Sequence, residues 1–373
     1  MRPGWSIFAE SFPLVFSDCL PWCGPAATWF ACDCGYVGKA CDAEYKAALE
    51  VSYGTYAPFH QGGGAEQAVT QDGRLFLSRS SQVLSWLLKE NLIPSSGSTL
   101  DYGTGNGSFL KAAANLLPNM QLHAADISES HKGEILSLPG VNSFQVLPLP
   151  INDVQQFDVI SLIHVLEHIS DPIEVLTELG SRLAERGVIV VQVPDFSANA
   201  FDLVIADHLS HFTEESAKNL ARAASFEVVK CATNVVKKEL TLVLRRPTSA
   251  LAAFRPRNSH VQGLISDAFA FLGKWKQQTS VTRTCGLPVT VFGSSIAASW
   301  VASLLEDGGT PVNGFLDEDL EREEGHLRGI QISPPSRVNM SDRGVVLVPL
   351  VPVAAAAVSA RLHSLGFEPV FLP

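Results

Sequence analysis

The residues best placed to do chemistry begin at Leu100-Asp101-Tyr102-Gly103-Thr104-Gly105-Asn106-Gly107, between a strand-like TLDY and the apolar helical run SFLKAAANLL. Glycines suit a place where the chain turns sharply and a ligand must approach the backbone. The start of the helix beyond offers free N–H groups to an anionic group. A glycine loop alone also fits a dinucleotide site. Two acids shift that balance. Asp101 precedes the first glycine, where dinucleotide sites usually carry an apolar residue, and its carboxylate suits an amino- or sulfonium-bearing ligand. Asp126 ends the next strand, followed by Ile127, and a carboxylate there accepts hydrogen bonds from both ribose hydroxyls. Asp101, Gly103, Thr104, Gly105, Gly107, Asp126 and Ile127 are therefore the candidate residues for a nucleoside-type cofactor.

Two histidine-bearing segments follow. Asp207-His208-Leu209-Ser210-His211-Phe212 lies beyond a strand ending near Pro194, over the carboxyl ends of the strands. A histidine beside a carboxylate there suits a general base near neutral pH. Adjacent residues of an extended chain point in opposite directions, so Asp207 either polarises His208 or binds the acceptor itself. The plain alternative is a helix-start loop capped by Thr213. His164, Glu167 and His168 form the second group. Their H-x-x-E-H spacing matches a zinc-protease signature only superficially, because it follows a strand and not a long helix. His164 is expected to face the cofactor or the acceptor, and His168 to start the next helix.

The elements that must position these groups alternate. Apolar spacing predicts a helix over SQVLSWLLKENL. Strands TLDY, QLHAADI, FDVISLIHV and VIVVQV are separated by helices, including one over DPIEVLTELGSRLAERG; FEVVK and ELTLVLR close the series. This is the pattern of an α/β fold with a doubly wound parallel sheet and an antiparallel edge. A polar connection with a helix over SDAFAFLGKWKQQ leads to a smaller α/β unit from Leu287.

A length of 373 residues implies two or three domains. Net charge is −11, from 27 basic and 38 acidic residues, which argues against nucleic acid as a partner. No long uncharged apolar run predicts a membrane span. The opening MRPGWSIFAESF lacks the basic-then-apolar order of a secretory leader, so a cytoplasmic protein is expected. Of seven cysteines, five lie between residues 19 and 41; Cys231 and Cys285 read as small buried apolar residues. Clustered cysteines in a cytosolic chain suggest a metal. Cys19, Cys23, Cys32 and Cys34 are the candidate tetrahedral Zn²⁺ ligands, with Cys41 beyond.

The acid–glycine loop, Asp126 and FDVISLIHVLEHISDP together resemble the class I S-adenosylmethionine-dependent methyltransferases over roughly residues 75–245. A nucleotide-binding domain without methyl transfer is the competing reading. Within the class, Asp207-His208-Leu209-Ser210 with Phe212 is similar to the acidic-His-Leu-Ser-aromatic-Phe pattern of three-domain sugar C-methyltransferases; His211 stands in place of the aromatic. The resemblance implies a seven-stranded Rossmann-like sheet, S-adenosylmethionine as cofactor, structural zinc and a sugar-like small-molecule acceptor. It implies catalytic roles for His208 and Asp207, with His164 alongside, and acceptor contacts from Tyr53, Tyr56, His60 and His211. The implied organisation is a Cys-rich lid domain over 1–65 and a cofactor domain over 66–248. A linker over 249–284 then joins a Rossmann-like domain over 285–373. That last domain's turn, Phe292-Gly293-Ser294-Ser295-Ile296-Ala297, lacks two glycines of a dinucleotide fingerprint, and Asp317 ends its second strand. A scaffold closing the cleft is expected there, and no working NAD site. The cysteine spacing departs from the usual C-x-x-C pairs. O- or N-methylation of another natural product, and an inactive cofactor-binding scaffold, stay open as alternatives.

Overall fold

The computed structural model describes residues 5–54, 66, 68–71, 75–150, 155–249, 260–282, 286–323, 325–339 and 343–370. Three short strands open the chain: β1 (Trp5–Phe8), β2 (Trp29–Cys32) and β3 (Val37–Lys39). Helix α1 (Ala43–Tyr53) follows, started by Asp42, whose side chain accepts the Tyr45 N–H. The three strands did not stand out in the sequence, because strands of three or four residues carry almost no periodicity. A hairpin of β4 (Ala68–Gln71) and β5 (Leu75–Ser78) leads into α2 (Arg79–Lys89).

The central unit then alternates as the sequence predicts. It runs β6 (Ser96–Tyr102), α3 (Ser108–Leu116), β7 (Asn119–Asp126), α4 (Lys132–Leu136), β8 (Val141–Val146), β9 (Phe157–Ile163), α5 (Pro172–Ser181) and β10 (Leu183–Pro194). The two-residue β11 (Ser210–His211), α6 (Glu214–Ala223), β12 (Glu227–Ala232) and β13 (Glu239–Arg245) complete it. Seven strands form one mixed sheet in the order β12-β13-β10-β9-β6-β7-β8. Strand β13 is antiparallel to both its neighbours, and the other pairs are parallel. The predicted helix up to residue 187 stops at Ser181, because Leu183 already pairs with Phe157 of β9. The chain winds from β6 to β7 and β8 on one side, and through β9 and β10 on the other. That reversal opens a crevice at the carboxyl ends of β6 and β9, where ligands bind in open α/β sheets.

The rest of the chain forms α7 (Val261–Thr282), β14 (Val289–Phe292), α8 (Ile296–Asp307), β15 (Gly314–Leu316), β16 (His326–Leu327), β17 (Ile330–Ser333), β18 (Val345–Leu347), α9 (Pro352–Ser364) and β19 (Glu368–Val370). Its sheet runs β16-β17-β15-β14-β18-β19. This sheet does not pack alone. Trp29, Phe201, Leu272, Trp275 and Trp300 share one core with Val291 and Phe315 of its strands. Helix α8 is buried on all sides from Ala297 to Leu305, as befits a helix held between its own sheet and the N-terminal segment. Trp300 donates its indole N–H to Pro13 O at 2.9 Å. Strand β11 also crosses the unit boundaries, pairing with β3 to extend the N-terminal sheet.

Candidate active site

The glycine loop sits between the ends of β6 and β7. Gly103 and Thr104 donate their N–H groups to Ala125 O at 2.7 and 3.1 Å. Gly105 donates to Asp126 Oδ2 at 2.7 Å, and Ser128 N–H reaches the other oxygen at 2.9 Å. Gly103 has φ +76°, and a Cβ there would lie 2.5 Å from Val165 Cγ2. At Gly105, with φ +54°, an added Cβ meets nothing within 4 Å. One glycine is thus required by packing, and the other faces open space beside an acid. That cradle, with the Asp126 carboxylate at its edge, fits the ribose and carboxylate of an adenosyl amino acid. Gly107 caps α3, and Ile127 is 65% exposed, an apolar side chain at the rim.

Asp101 is held inside the fold. It is buried and accepts hydrogen bonds from Thr104 Oγ1 at 2.8 Å and Ser161 Oγ at 2.7 Å. Burial raises its pKa to about 6 against the pull of those two hydroxyls. Its carboxylate ties the loop to β9.

The histidines gather at the ends of β9 and β10. The sequence pairs Asp207 with His208; the structure does not. His208 Nδ1 lies 2.7 Å from Asp202 Oδ1, and His211 Nδ1 lies 2.6 Å from Asp202 Oδ2. Asp207 instead sits 3.2 Å from His168 Nδ1. Its carboxylate also accepts Ser17 N–H at 3.0 Å, Ser17 Oγ at 2.6 Å and Tyr53 Oη at 3.3 Å. The His168 and His208 rings meet edge to face with centroids 4.8 Å apart. Burial works against charge on Asp202 and Asp207, but their histidines hold both carboxyls far below the usual range. His211 is fully buried and burial lowers its pKa to about 4, so it is neutral at pH 7 and supports the loop without reaching an acceptor.

His164 has a left-handed backbone, φ 55°, which turns its ring back between Glu167, 3.0 Å from Nδ1, and Glu239, 3.1 Å from Nε2. Arg79 lies 2.9 Å from Glu239. Burial opposes charge on His164, yet Glu239 and the contacts with both acids raise its pKa to about 9 despite Arg79. A protonated His164 is an ion-pair residue; it does not accept a proton at neutral pH.

The N-terminal segment braces the histidine loop. Val15 and Ala206 exchange backbone bonds with Val204 O and Val15 O at 3.0 and 2.7 Å. Tyr45 Oη donates to Ala206 O at 2.8 Å, and Trp29 Nε1 to Leu203 O at 3.1 Å. Lys39, buried beneath the loop, donates Nζ to Ile205 O and, at 3.1 Å, to His208 O. Burial lowers its pKa to about 7, opposed by Asp202 and Asp207. Asp202, Lys39 and Ser17 were invisible to sequence reasoning, since each acts only through contacts made by chain folding.

The cysteines do not converge. Cys19 is in the core, Cys23 is exposed, and Cys34 N–H points at Cys32 Sγ at 3.3 Å. Burial and the Cys32 contact push the Cys34 thiol up to about 11. Among the described residues, the one group of three or more metal-capable side chains with ligand atoms within 4.8 Å is Glu167, His168 and His208. The four candidate zinc thiols therefore do not fit a common ion. Tyr56 and His60 lie outside the described residues. In the C-terminal turn, Ser294 Oγ donates to Asp317 Oδ2 at 2.7 Å and Arg322 donates to Ser294 O at 3.3 Å, so the chain itself occupies that turn.

Residues 76–231 match the model of a family described as a methyltransferase domain. No protein of curated function matches the chain. Among solved structures, a 1,6-didemethyltoxoflavin-N1-methyltransferase from Burkholderia thailandensis is 19% identical, covering 57% of this chain and 95% of that one, with a TM-score of 0.41. An S-adenosylmethionine-dependent methyltransferase from Clostridium acetobutylicum is 12% identical, covering 45% and 91%, with a TM-score of 0.38. The crevice at the sheet's reversal, the acid-flanked glycine loop and the family match define the class: an α/β enzyme with a methyltransferase domain. Residues 76–231 are a methyltransferase domain. Among the described residues no helix is long and apolar enough to cross a membrane.

Proposed function

We propose that the enzyme methylates a small, sugar-like acceptor, nucleotide-linked or part of a glycan, at carbon or oxygen, with His208 as general base. The observation that carries this is the Asp202–His208 pair beside the cofactor crevice. With Nδ1–H donated to Asp202, His208 keeps Nε2 as a proton acceptor. The cofactor, when bound, supplies a methyl group already activated on sulfonium. Gly105, Asp126 and Ile127 would hold it, and the residues around His208 would align the acceptor. His208 would take the proton that the acceptor loses on methylation. The sugar assignment is supported by the resemblance of Asp207-His208-Leu209-Ser210 to sugar C-methyltransferases. Tyr53, which reaches Asp207 and lies 3.4 Å from His168 Nδ1, serves as an acceptor contact.

The test is methyl transfer from labelled S-adenosylmethionine to a panel of nucleotide sugars. With the acceptor found, His208→Ala should lower kcat by about 10²–10⁴-fold and leave S-adenosylhomocysteine affinity unchanged. Near-normal turnover in that variant rejects the base. Transfer only to non-sugar acceptors rejects the substrate class.

A further inference from the structure

Glu167, His168 and His208 each bring a potential ligand atom within 4.8 Å of the other two. Both histidines are held by their Nδ1 atoms. His208 Nδ1 meets Asp202, and His168 Nδ1 meets Asp207 O at 3.0 Å and its carboxylate at 3.2 Å. Each ring therefore keeps Nε2 as a lone pair. Glu167 is 1% exposed and, beyond its ion pair with His164, neither of its oxygens has a hydrogen-bond partner. Lone-pair donors gathered in this way, with Glu167 and His208 buried and His168 half-buried, are costly unless a cation satisfies them. Carboxylates gripping the far nitrogens of the rings are the usual outer shell of histidine-bound metals.

We propose that Glu167, His168 and His208 bind a divalent first-row transition ion. Two imidazoles and a carboxylate suit such an ion and do not suit Mg²⁺ or Ca²⁺, which take oxygen ligands. Bonds of about 2.0–2.2 Å place ligand atoms roughly 3.4 Å apart, so binding draws the trio inward by about an ångström. The proposal shares His208 with the general-base reading but rests on the convergence of the trio. Ion and proton compete for the same His208 nitrogen, so an occupied site slows methyl transfer that depends on that base.

The probe is Co²⁺ added to the full-length protein, followed by its visible absorption and by competition with Zn²⁺. One equivalent should bind with nitrogen–oxygen bands. Glu167→Gln, His168→Ala and His208→Gln should each abolish the bands, with folding checked by circular dichroism. Asp202→Asn, which removes only the outer carboxylate, should weaken binding about 10–100-fold. Thiolate charge-transfer bands, binding unchanged in these variants, or no binding at all would overturn the site. The spectrum reads the site without turnover, so the two readings fail separately. If His208→Ala retains turnover while the bands are intact, the base is lost and the metal site stands.

Discussion

Asp202 divides its carboxylate between two histidines: Oδ1 lies 2.7 Å from Nδ1 of His208 and Oδ2 lies 2.6 Å from Nδ1 of His211. The short 3-10 turn over Ala200–Val204 points Asp202 back beneath the loop that follows, so one buried acid fixes the tautomer and orientation of both rings. Asp202→Asn should keep the fold but lower kcat by about 10²-fold or more, the scale seen when a histidine-orienting carboxylate is neutralised. A merely structural Asp202 would leave the pH–rate profile in place. The check is kcat measured against pH, where loss of the orienting acid should change the profile. A variant with normal kcat and an unmoved profile would falsify the pairing as functional.

Stability at alkaline pH should depend on His164. Its pKa stands at about 9, above its ordinary value of 6.5. A group raised in the folded state contributes stability that is complete below about pH 6.5 and is lost as pH rises through about 9. The scale is on the order of 3 kcal/mol as an upper figure. Urea unfolding at several pH values should show this decline, and His164→Gln should flatten it. An equally steep decline in the variant removes His164 as its source.

The cofactor loop separates packing from binding. Gly103→Ala should lower the melting temperature markedly, because its Cβ meets Val165 at 2.5 Å. Gly105→Ala has room, so its cost is backbone strain of about 1–2 kcal/mol, with weaker cofactor binding as its main effect. Asp126→Ala should weaken S-adenosylhomocysteine at least tenfold, since a charged acceptor is worth about 1.5–3 kcal/mol. Calorimetry and thermal melts on the three variants check this. Unchanged affinity in Asp126→Ala would remove the ribose role.

Lys39→Met should show whether the N-terminal sheet sets the geometry of the histidine loop. The substitution keeps most of the apolar stem and strips donors from the carbonyls of Ile205 and His208. Leaving buried acceptors unpaired costs about 1–3 kcal/mol. Denaturant unfolding should register that loss, and kcat should fall more than KM changes. A stable variant with intact kcat would show that the loop holds its shape without β3.

The glycine loop and its flanking acids were legible in the sequence because they are local. Asp101, the glycines and Asp126 belong to one strand–loop–helix–strand unit, and parallel pairing of β6 with β7 brings them together wherever that unit forms. The histidine cluster is assembled differently. Ser17, Lys39, Tyr53, His168, Asp202 and Asp207 meet through contacts spanning as many as 190 residues, which no periodicity records. Adjacency did not give the pairs at Asp207-His208, because neighbouring side chains diverge: Asp207 lies beside His168, and His208 beside Asp202. Clustering misled at the cysteines, because nearness along the chain did not aim four thiols at one point. The sequence by itself determined the doubly wound sheet and the glycine loop between its strands, since hydrophobic period and glycine placement are properties of short segments. Only the tertiary structure decided which acid orients which histidine, because that depends on where distant segments come to rest in a shared core.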